Sequence, residues 1–406
     1  MDSTNAYILT INGGSSSIKF SLYLSEPLKR MLSGKVDRIG VNGTTFTFSD
    51  ATQHQRATSE ILAADHRSAA NFLIEWLEKR LDWASIKAVG HRIVHGLDHS
   101  QPERVTPELL AELKRLRPYI PDHLPAEIEL IEAFRRCAPQ LSQVACFDTA
   151  FHCTMPRVAR LFPLPRRFDE RGLRRYGFHG LSYTYLMDEL VRVAGSQAAR
   201  GRVILAHLGN GASLAAVHEG KSVDTSMGFT PTAGLPMGTR PGDLDAGVAW
   251  YLLQSENMSP TQFNHMINHE SGLLGISETS SDMRDLLDRQ ASDIRAAEAV
   301  ELFCYQARKW IGAFAAVLGG LETLVFAGGI GENAGEVRAR ICHGLEFLGV
   351  ALDESQNAIH APLISAAATR VAVRIIRTDE EQVIASAVDR LLRIDDSSQR
   401  ATGKKE

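Results

Sequence analysis

The residues from Ile8 to Phe20 combine glycine, serine and lysine in a pattern that suits an anion. Asn12, Gly13 and a second glycine interrupt a run of apolar and β-branched residues, and three serines and Lys19 follow. Two glycines remove the Cβ atoms that would hold a ligand away from the backbone. N–H groups, hydroxyls and an ammonium group then converge, which favours binding of a phosphate. The simpler alternative is an Asn-Gly hairpin with a solvated serine tip.

Two arginines lie where a guanidinium group could act on a carboxylate or a phosphoryl group. Arg92 lies on an apolar predicted strand, residues 88–94, and Arg240 lies in a loop rich in glycine and proline. Phosphoryl transfer depends on charge neutralisation and alignment, and a guanidinium fork supplies both. Asp148 follows another predicted strand, residues 143–147, and the end of a strand is a usual place for a catalytic carboxylate. The alternative is that Asp148 caps the N-terminus of a helix.

Strands, glycine turns and helices must position these residues, and their order predicts an α/β protein. A strand, a glycine-containing hairpin and a second strand occur around Asn12 and again around Asn210, roughly half the chain apart, which suggests duplication of one domain type. Residues 324–327 predict a strand, 328–331 a turn and 332–345 a helix. That arrangement presents N–H groups and a positive helix end to a nucleotide.

The same patterns predict where the domains divide and where the chain loses structure. We place a boundary near Phe151, after which prolines interrupt the pattern. A long helix is predicted from about residue 293 to residue 318, with Val317 on its apolar face. A final helix is predicted over 380–392, and the polar residues from 395 onward predict a frayed end.

Composition excludes several classes of function. The chain has 406 residues, of which 44% are hydrophobic, enough for two domains with full cores. A net charge of −4 provides no basic field for nucleic acid or an anionic membrane. We expect no signal peptide and no membrane span. Five cysteines without a CxxC pair predict neither a zinc site nor a disulfide framework, and therefore a cytoplasmic setting.

Ten motifs together make the sequence resemble the acetate/propionate kinase family. They are NGGSSSIK at 12–19, GHRIVHG at 90–96, FDTAFH at 147–152, RYGFHG at 175–180, HLGNG at 207–211, DTSMGFTP at 224–231, MGTRPGD at 237–243, SSDMR at 280–284, GIGEN at 329–333 and TDEE at 378–381. They occur in family order and span almost the whole chain. The resemblance implies reversible transfer of a phosphoryl group from ATP to acetate, giving acetyl phosphate and ADP, with magnesium.

The resemblance also implies a fold and an assembly. It predicts two duplicated ribonuclease H-like domains of the actin, Hsp70 and sugar kinase type, with ATP in the cleft between them, and a homodimer. Residues 1–150, with a C-terminal helix at about 382–394, would form the N-terminal domain. Residues 151–381 would form the nucleotide-binding domain, and 395–406 a polar tail.

Site residues follow from the positions that match the family motifs. The catalytic set is Asp148, His179, Arg240 and Arg92. Substrate would be bound by Arg92, Val94, Phe178 and Pro231. Magnesium, with manganese as an alternative, would be held by Asn12 and Glu380. ATP would contact Ser15, Ser17, Lys19, His207, Leu208, Gly209, Asn210, Gly211, Asp282, Met283, Arg284, Gly329, Ile330, Gly331, Glu332 and Asn333.

Four of these residues receive more specific roles from the resemblance. Arg92 would bind substrate, Arg240 would stabilise the transition state, and His179 would donate a hydrogen bond or positive charge to the phosphoryl group. A core histidine is the alternative for His179. Acetate arrives ionised and needs no base, so Asp148 would orient Arg92 or a metal-bound water rather than carry a proton.

Two departures from the family pattern leave the preferred acid open. Leu97 stands where the family has the second glycine of His-Gly-Gly, and Asp122 stands where it has the leucine of Pro-Leu-His-Asn-Pro. That leucine lines the acyl pocket in the family, so a propionate or butyrate kinase is an alternative. His123 matches another active-site histidine of the family, but its surroundings depart from the family pattern. The sequence is also compatible with an Hsp70-like ATP-gated binding protein, or with an α/β protein whose glycine turns bind no ligand.

Overall fold

The chain folds into two compact units, each built around one β-sheet. The computed structural model describes residues 6–14, 17–40, 43–51 and 53–402. The first unit comprises residues 1–150 together with Asp379–Glu406, and the second comprises Phe151–Thr378. No helix in the described part of the chain is both long enough and apolar enough to cross a lipid bilayer.

An eight-stranded sheet forms the centre of the first unit. Its strands are β1 (Tyr7–Gly13), β2 (Ser17–Leu24), β3 (Lys29–Asp37), β4 (Thr45–Asp50), β5 (Gln55–Glu60), β6 (Ile86–Ile93), β7 (Glu103–Arg104) and β8 (Ser142–Phe147). Its helices are α1 (His66–Glu78), α2 (Pro107–Leu116) and α3 (Leu124–Cys137), with a 3₁₀ turn at Trp83–Ser85. Every residue of β1 is buried, as expected for a central strand covered on both faces.

A five-stranded sheet forms the centre of the second unit. Its strands are β9 (Val203–Leu208), β10 (Ala212–His218), β11 (Lys221–Thr225), β12 (Thr323–Ala327) and β13 (Ala372–Ile375). Its helices are α4 (Arg157–Arg160), α5 (Arg166–Asp169), α6 (Gly180–Arg200), α7 (Ala246–Gln254), α8 (Pro260–His265), α9 (Gly272–Ser277), α10 (Met283–Arg289), α11 (Ile294–Leu318), α12 (Gly328–Asn333), α13 (Gly335–Cys342) and α14 (Glu354–Ala358). Short 3₁₀ turns lie at Ala150–Thr154 and Glu346–Leu348, and a π-helical turn lies at Met266–Glu270.

The two sheets repeat one topology. In the first unit the order β3-β2-β1-β6-β8 joins three antiparallel strands to two that run parallel to β1. In the second unit the order β11-β10-β9-β12-β13 has the same directions at every step. The glycine hairpins at β1–β2 and β9–β10 occupy equivalent places in the two sheets. This is the duplication that the sequence predicted.

The last helix, α15 (Glu380–Thr402), packs on the sheet of the first unit. Ile384 and Val388 are fully buried on it. The sheet accommodates them through Gly90 of β6, where a Cβ atom would lie 2.4 Å from a methyl carbon of Ile384. The helix runs beyond residue 392, so the predicted frayed end is wrong up to Thr402. The sequence from Glu380 to Thr402 contains no proline or glycine that would end the helix.

Three further differences separate the sequence expectation from the structure. The segment predicted as a turn at 328–331 is the first turn of a helix, because the Glu332 side chain accepts a hydrogen bond from the Gly328 N–H group. The helix that was predicted over 332–345 is broken at Ala334 and ends at Cys342. Val317, predicted on the buried face of α11, is 55% exposed.

Candidate active site

The β1–β2 hairpin brings polar side chains of the first unit close to the start of α15. The hairpin is closed by Gly14, whose N–H group donates to Ser17 O at 2.7 Å. Asn12, buried at the end of β1, donates from Nδ2 to Glu380 Oε2 at 2.8 Å and to Glu381 Oε1 at 3.1 Å. Ser15 lies outside the described residues.

Lys19 lies on β2 near the same carboxylates. Desolvation by its surroundings would lower the pKa of the Lys19 ammonium group, but Glu381 and Glu380 outweigh that effect and raise the pKa. The residue remains exposed, so its cation is available to a ligand. A cation and two carboxylates are thus presented around one hairpin.

The first turn of α15 is fixed by an ion pair from β3. Arg30 donates to both oxygens of Asp379, the residue directly before the helix. Asp379 Oδ1 in turn accepts the backbone N–H of Gln382 at 3.0 Å. These bonds hold the backbone on which the Glu380 carboxylate is carried.

Arg92 lies near the end of β6, and its guanidinium group is held by Asp148. Nε and Nη2 donate to Asp148 Oδ2 at 2.9 and 2.5 Å, and Nη1 donates to Gly13 O at 3.1 Å. Burial alone would lower the pKa of Arg92, but the nearby carboxylates, Asp148 first, raise it. These three bonds leave two of the five N–H groups of the guanidinium for another partner.

Glu127 of α3 is a residue that the sequence analysis did not select. Its side chain is 1% exposed, Oε2 accepts the backbone N–H of Val94 at 2.9 Å, and Oε1 lies 3.9 Å from Arg92 Nη1. Burial raises the pKa of this carboxyl to about 8, against the lowering effects of Arg92 and the Val94 N–H group. The sequence could have indicated Glu127, because it is an acid at a position of α3 that shares the buried face with Leu124 and Ile131.

His179 and Arg240 of the second unit converge on the glycine hairpin between β9 and β10. A Cβ atom on Gly211 would lie 2.9 Å from Arg240 Nη2 and 3.3 Å from His179 Nε2. Arg240 Nη1 also donates to Pro231 O at 2.6 Å. Two hydrogen-bond donors are thereby directed at one point of the backbone, an arrangement that suits an anion.

Hydrogen bonds from a neighbouring strand and helix orient His179. Nδ1 lies 2.9 Å from Ser213 Oγ, which is also hydrogen bonded to the Tyr183 hydroxyl group. The His207 ring stacks on the His179 ring with centroids 4.3 Å apart, and His207 Nδ1 is 2.8 Å from Ser182 Oγ. Ser213 and Tyr183 were missed because a buried hydroxyl group carries no motif of its own.

The β9–β10 hairpin and the start of α12 lie against each other. Gly328 has a positive φ of 76°, and a Cβ atom there would lie 2.7 Å from Leu208 O. The Glu332 carboxylate accepts the N–H groups of Gly328 at 3.0 Å and of Thr378 at 3.2 Å. Two segments predicted to bind ATP, 207–211 and 329–333, are therefore adjacent.

Arg338, which the sequence analysis also missed, holds the end of α12. It is fully buried, and Nη1 donates to the carbonyl oxygens of Gly331 at 2.9 Å and Glu332 at 3.1 Å. Nε donates to Asn357 Oδ1 at 2.8 Å. Burial lowers the pKa of Arg338 to about 10, but the group stays charged at neutral pH.

The third segment predicted to bind ATP begins α10. Asp282 caps this helix by accepting the backbone N–H of Arg284 at 2.9 Å, and Met283 is buried beneath it. The Arg284 guanidinium turns back to Asp282 and is 86% exposed. The segment adjoins the hairpin through Gly238, because a Cβ atom there would meet both Asn210 Oδ1 at 2.2 Å and Ser281 O at 3.2 Å.

The apolar residues predicted for the acyl pocket are all buried. Val94 follows Arg92 in the first unit and is 1% exposed. Phe178 precedes His179 in the second unit and is also 1% exposed, and Pro231 is buried beside the Arg240 guanidinium. Val94 is thus two residues from Arg92 in the sequence, and Pro231 accepts a hydrogen bond from Arg240. Asp122 is partly buried at the turn before α3.

Comparisons with known proteins show which family the sequence matches. The sequence model of the Acetokinase family matches residues 7–386. An acetate kinase of Methylocella silvestris is 44% identical over 390 residues, covering 93% of this chain and 96% of that protein. A propionate kinase of Citrobacter rodentium is 44% identical over 392 residues, covering 95% and 96%.

Solved structures show the same fold. The acetate kinase of Porphyromonas gingivalis superposes with a TM-score of 0.83 at 36% identity, covering 94% of this chain and 98% of that chain. A propionate kinase from Francisella tularensis gives a TM-score of 0.87 at 34% identity with the same coverage. The predicted α/β fold of duplicated domains is confirmed.

Proposed function

The chain belongs to the Acetokinase family, and from that premise we propose that it transfers a phosphoryl group reversibly between ATP and acetate, giving acetyl phosphate and ADP. The observation that carries the proposal is the convergence of Arg240 Nη2 and His179 Nε2 on Gly211. Phosphoryl transfer spreads negative charge over the oxygens of the transferred group, and fixed donors of this kind stabilise that charge.

Acetate binds through Arg92 in this proposal. Acetate is ionised at neutral pH, so its carboxylate is already nucleophilic and no side chain has to remove a proton. Asp148 therefore orients the guanidinium group, as its bonds to Nε and Nη2 support. Arg240 and His179 neutralise charge on the phosphoryl group as the bond to ADP breaks and the bond to the acetate oxygen forms.

ATP contacts three backbone segments and one hairpin. The segments are 207–211, 282–284 and 329–333, and we assign them to the nucleotide because glycines allow the backbone to approach a ligand closely. Ser17 and Lys19, with Ser15, are assigned to the phosphates because the exposed ammonium group of Lys19 remains a cation at any physiological pH. Arg338 supports segment 329–333 through its hydrogen bonds to the carbonyl oxygens of Gly331 and Glu332.

Magnesium is the metal that fits the residues around Asn12. The described residues contain no group of three or more histidine, cysteine, aspartate or glutamate side chains suited to hold a metal. Magnesium needs no such group, since it takes one or two protein oxygens and fills its shell with phosphate and water. Glu380 and Asn12 would supply those oxygens, and the metal would neutralise charge on the phosphates; manganese has the same ligand preference.

Acetate is the proposed preferred acid, with propionate as a second substrate. A small apolar pocket separates acids that differ by one methylene by only about 1–3 kcal/mol. Val94 of the first unit, and Phe178 and Pro231 of the second, are the apolar residues assigned to the acyl group, and Asp122 is a polar departure from the resemblance described above. Relatives named acetate kinase and propionate kinase are equally similar to this chain, at 44% identity each.

A homodimer in the cytoplasm completes the proposal. Helix α7 has the apolar sequence AGVAWYLLQ, yet none of its residues is buried, and Trp250 is 67% exposed. Exposed apolar surface of this kind is typical of a protein interface. All five cysteines carry free thiols, which supports a reducing compartment.

Trapping of acyl phosphate with hydroxylamine tests the reaction and the substrate together. The purified protein is incubated with ATP, magnesium and acetate, propionate or butyrate, and acyl hydroxamate is measured with an assay lacking ATP as the control. We expect the highest kcat/KM with acetate and a lower value with propionate. Hydroxamate from none of these acids would overturn the proposed reaction, and acetate as the poorest acid would overturn only the substrate preference.

A further inference from the structure

Glu127 is a buried acid whose position the proposed reaction does not yet explain. It lies on the side of α3 that also carries Leu124, Ile128 and Ile131, all fully buried. Burying a carboxyl group costs free energy unless its oxygens gain partners that compensate for the lost water. Its two contacts therefore indicate what the residue does.

Both contacts lead to residues assigned to the substrate. Oε2 accepts the N–H group of Val94, which fixes the backbone beside the proposed acyl pocket. Oε1 makes no hydrogen bond and lies 3.9 Å from Arg92 Nη1. A negative charge there would stand next to the guanidinium group that receives acetate.

We propose that Glu127 is a positioning residue for carboxylate binding: it fixes the backbone of Val94, and its charge sets how much of the positive potential of Arg92 reaches the incoming acid. This inference rests on the proposed function, because it assumes that Arg92 binds the carboxylate.

The charges of the cluster explain why the protonation of Glu127 matters. The Arg92 guanidinium and the Asp148 carboxylate cancel, so a neutral Glu127 leaves the group with no net charge. An ionised Glu127 leaves one negative charge close to the incoming acid, which repels it. Because burial raises the pKa of Glu127 to about 8, the change occurs within a range where enzymes are assayed.

The charged groups around Glu127 and Arg92 come from the neighbouring strands and helices. Asp148 and Arg92 are the charged side chains that act on Glu127. Glu129 and Glu132, the other acids of α3, pair instead with Arg67 of α1 and Lys114 of α2. Glu380 acts on Arg92 from α15, and Lys19 has a raised pKa and keeps its charge. Burial raises the pKa of Glu127 to about 8, so its ionisation would change the charge around Arg92 near that pH.

The pH dependence of KM for acetate tests the inference. We would measure it from about pH 6.5 to about pH 9.5, where acetate itself stays ionised. In the wild-type enzyme KM for acetate should rise roughly tenfold as pH passes through 8, while KM for ATP stays level. Glu127→Gln keeps the acceptor for the Val94 N–H group but cannot ionise, so its KM should remain near the low-pH wild-type value. Glu129→Gln is the matched control and should follow the wild type.

The outcomes separate this inference from the reaction on which it rests. An active wild-type enzyme with a level profile, or a Glu127→Gln variant that keeps the rise, would overturn the role of Glu127 alone. Failure to form acyl phosphate at any pH would overturn the proposed reaction and this inference with it. If Glu127→Gln does not fold, infrared spectroscopy of the wild type decides: a protonated carboxylic acid band should disappear as pH rises through about 8, and its absence overturns the inference.

Discussion

At the scale of single residues, the site depends on charged groups held by other protein groups. Asp148 fixes the Arg92 guanidinium through two bonds, and Ser213 fixes His179. Such partners reduce the reorganisation that must occur when charge develops on a substrate. The catalytic effect of a residue here should therefore exceed its effect on stability.

Arg240→Ala should lower turnover far more than it raises KM for ATP. We expect a loss of about 10³-fold or more in kcat, because an arginine that neutralises the transferring phosphoryl group contributes on that scale. Steady-state kinetics with ATP and acetate as varied substrates measure both parameters. Arg295→Ala, which removes a partly exposed arginine paired with Glu278, is the control. A change confined to KM would contradict the transition-state role.

Gly211→Ala should reduce activity without reducing stability. The added methyl group would lie 2.9 Å from Arg240 Nη2, the mobile end of a long side chain, which can move aside. Displacing it by about 1 Å should cost about 10²-fold in kcat. Gly312→Ala in α11, where the new Cβ would have no atom within 4 Å beyond the adjacent backbone of its own helix, should keep full activity and gain up to about 1 kcal/mol in helix stability. Equal activity of the two variants would argue against the convergence at Gly211.

Glu380→Gln should raise the magnesium concentration needed for half-maximal activity by at least about tenfold, because it would weaken one of the two proposed protein ligands. Magnesium titrations of the acyl hydroxamate assay give this value. Asp389→Asn, farther along α15 and bonded to Ser25, should leave the titration unchanged. An unaltered magnesium requirement in Glu380→Gln would remove Glu380 as a ligand.

At the scale of elements, glycines allow backbones and helices to approach the site closely. Gly328 lets the start of α12 lie against Leu208 at the end of β9. Gly90 lets α15 pack on β6, two residues from Arg92, and α15 also carries Glu380. The packing of this helix therefore affects both the arginine and the carboxylate.

Gly90→Ala should destabilise the first unit by about 1–3 kcal/mol, the usual cost of overpacking a core. The new Cβ would lie 2.4 Å from Ile384 and 2.7 Å from Val388. Urea unfolding followed by the fluorescence of Trp76 and Trp83, in a background with both other tryptophans changed to phenylalanine, reports on this unit.

The pair of variants Gly90→Ala and Val388→Ala gives the control. Removing the Val388 methyl groups provides space for the alanine, so the double variant should lose less stability than the sum of the two single changes. Strict additivity would mean that the two positions do not touch.

At the scale of the whole molecule, the apolar surface of the second unit requires an explanation. Trp250 and Tyr251 of α7 are 67% and 55% exposed. Aromatic residues that are accessible in one chain commonly form the centre of an interface. A second copy of this chain is the partner proposed above.

Trp250→Glu should convert the proposed dimer to a monomer, because a carboxylate would be buried at the centre of an apolar contact. Size-exclusion chromatography with light scattering gives the mass directly. Gln254→Glu adds the same charge at the exposed end of the same helix and should leave the dimer intact. A wild-type monomer would contradict the dimer, and a Trp250→Glu dimer would exclude α7 from its interface.

The local pattern of the sequence was sufficient for the strands, the glycine hairpins and most helices. Strands β1, β9 and β12 follow from short apolar runs next to glycine, and the duplication follows from the repeated hairpin. Helix α6 received no prediction, although Tyr183, Met187 and Leu190 have helical spacing, because the glycines and prolines before it hide its start. Local sequence also did not show that α12 begins at Gly328, where the backbone N–H group donates to the Glu332 side chain.

The family motifs, and with them the candidate arginines, histidine and carboxylates, can be recognised without a structure. Which of them meet is visible only in the folded chain: Arg92 bonds to Asp148, 56 residues away, and Asn12 bonds to Glu380, 368 residues away. The fold also decided that Glu127 is buried beside Arg92 and that Ser213 holds His179. The physical reason is that the pKa of an acid and the aim of a donor depend on burial and partners, which arise only when distant segments pack together.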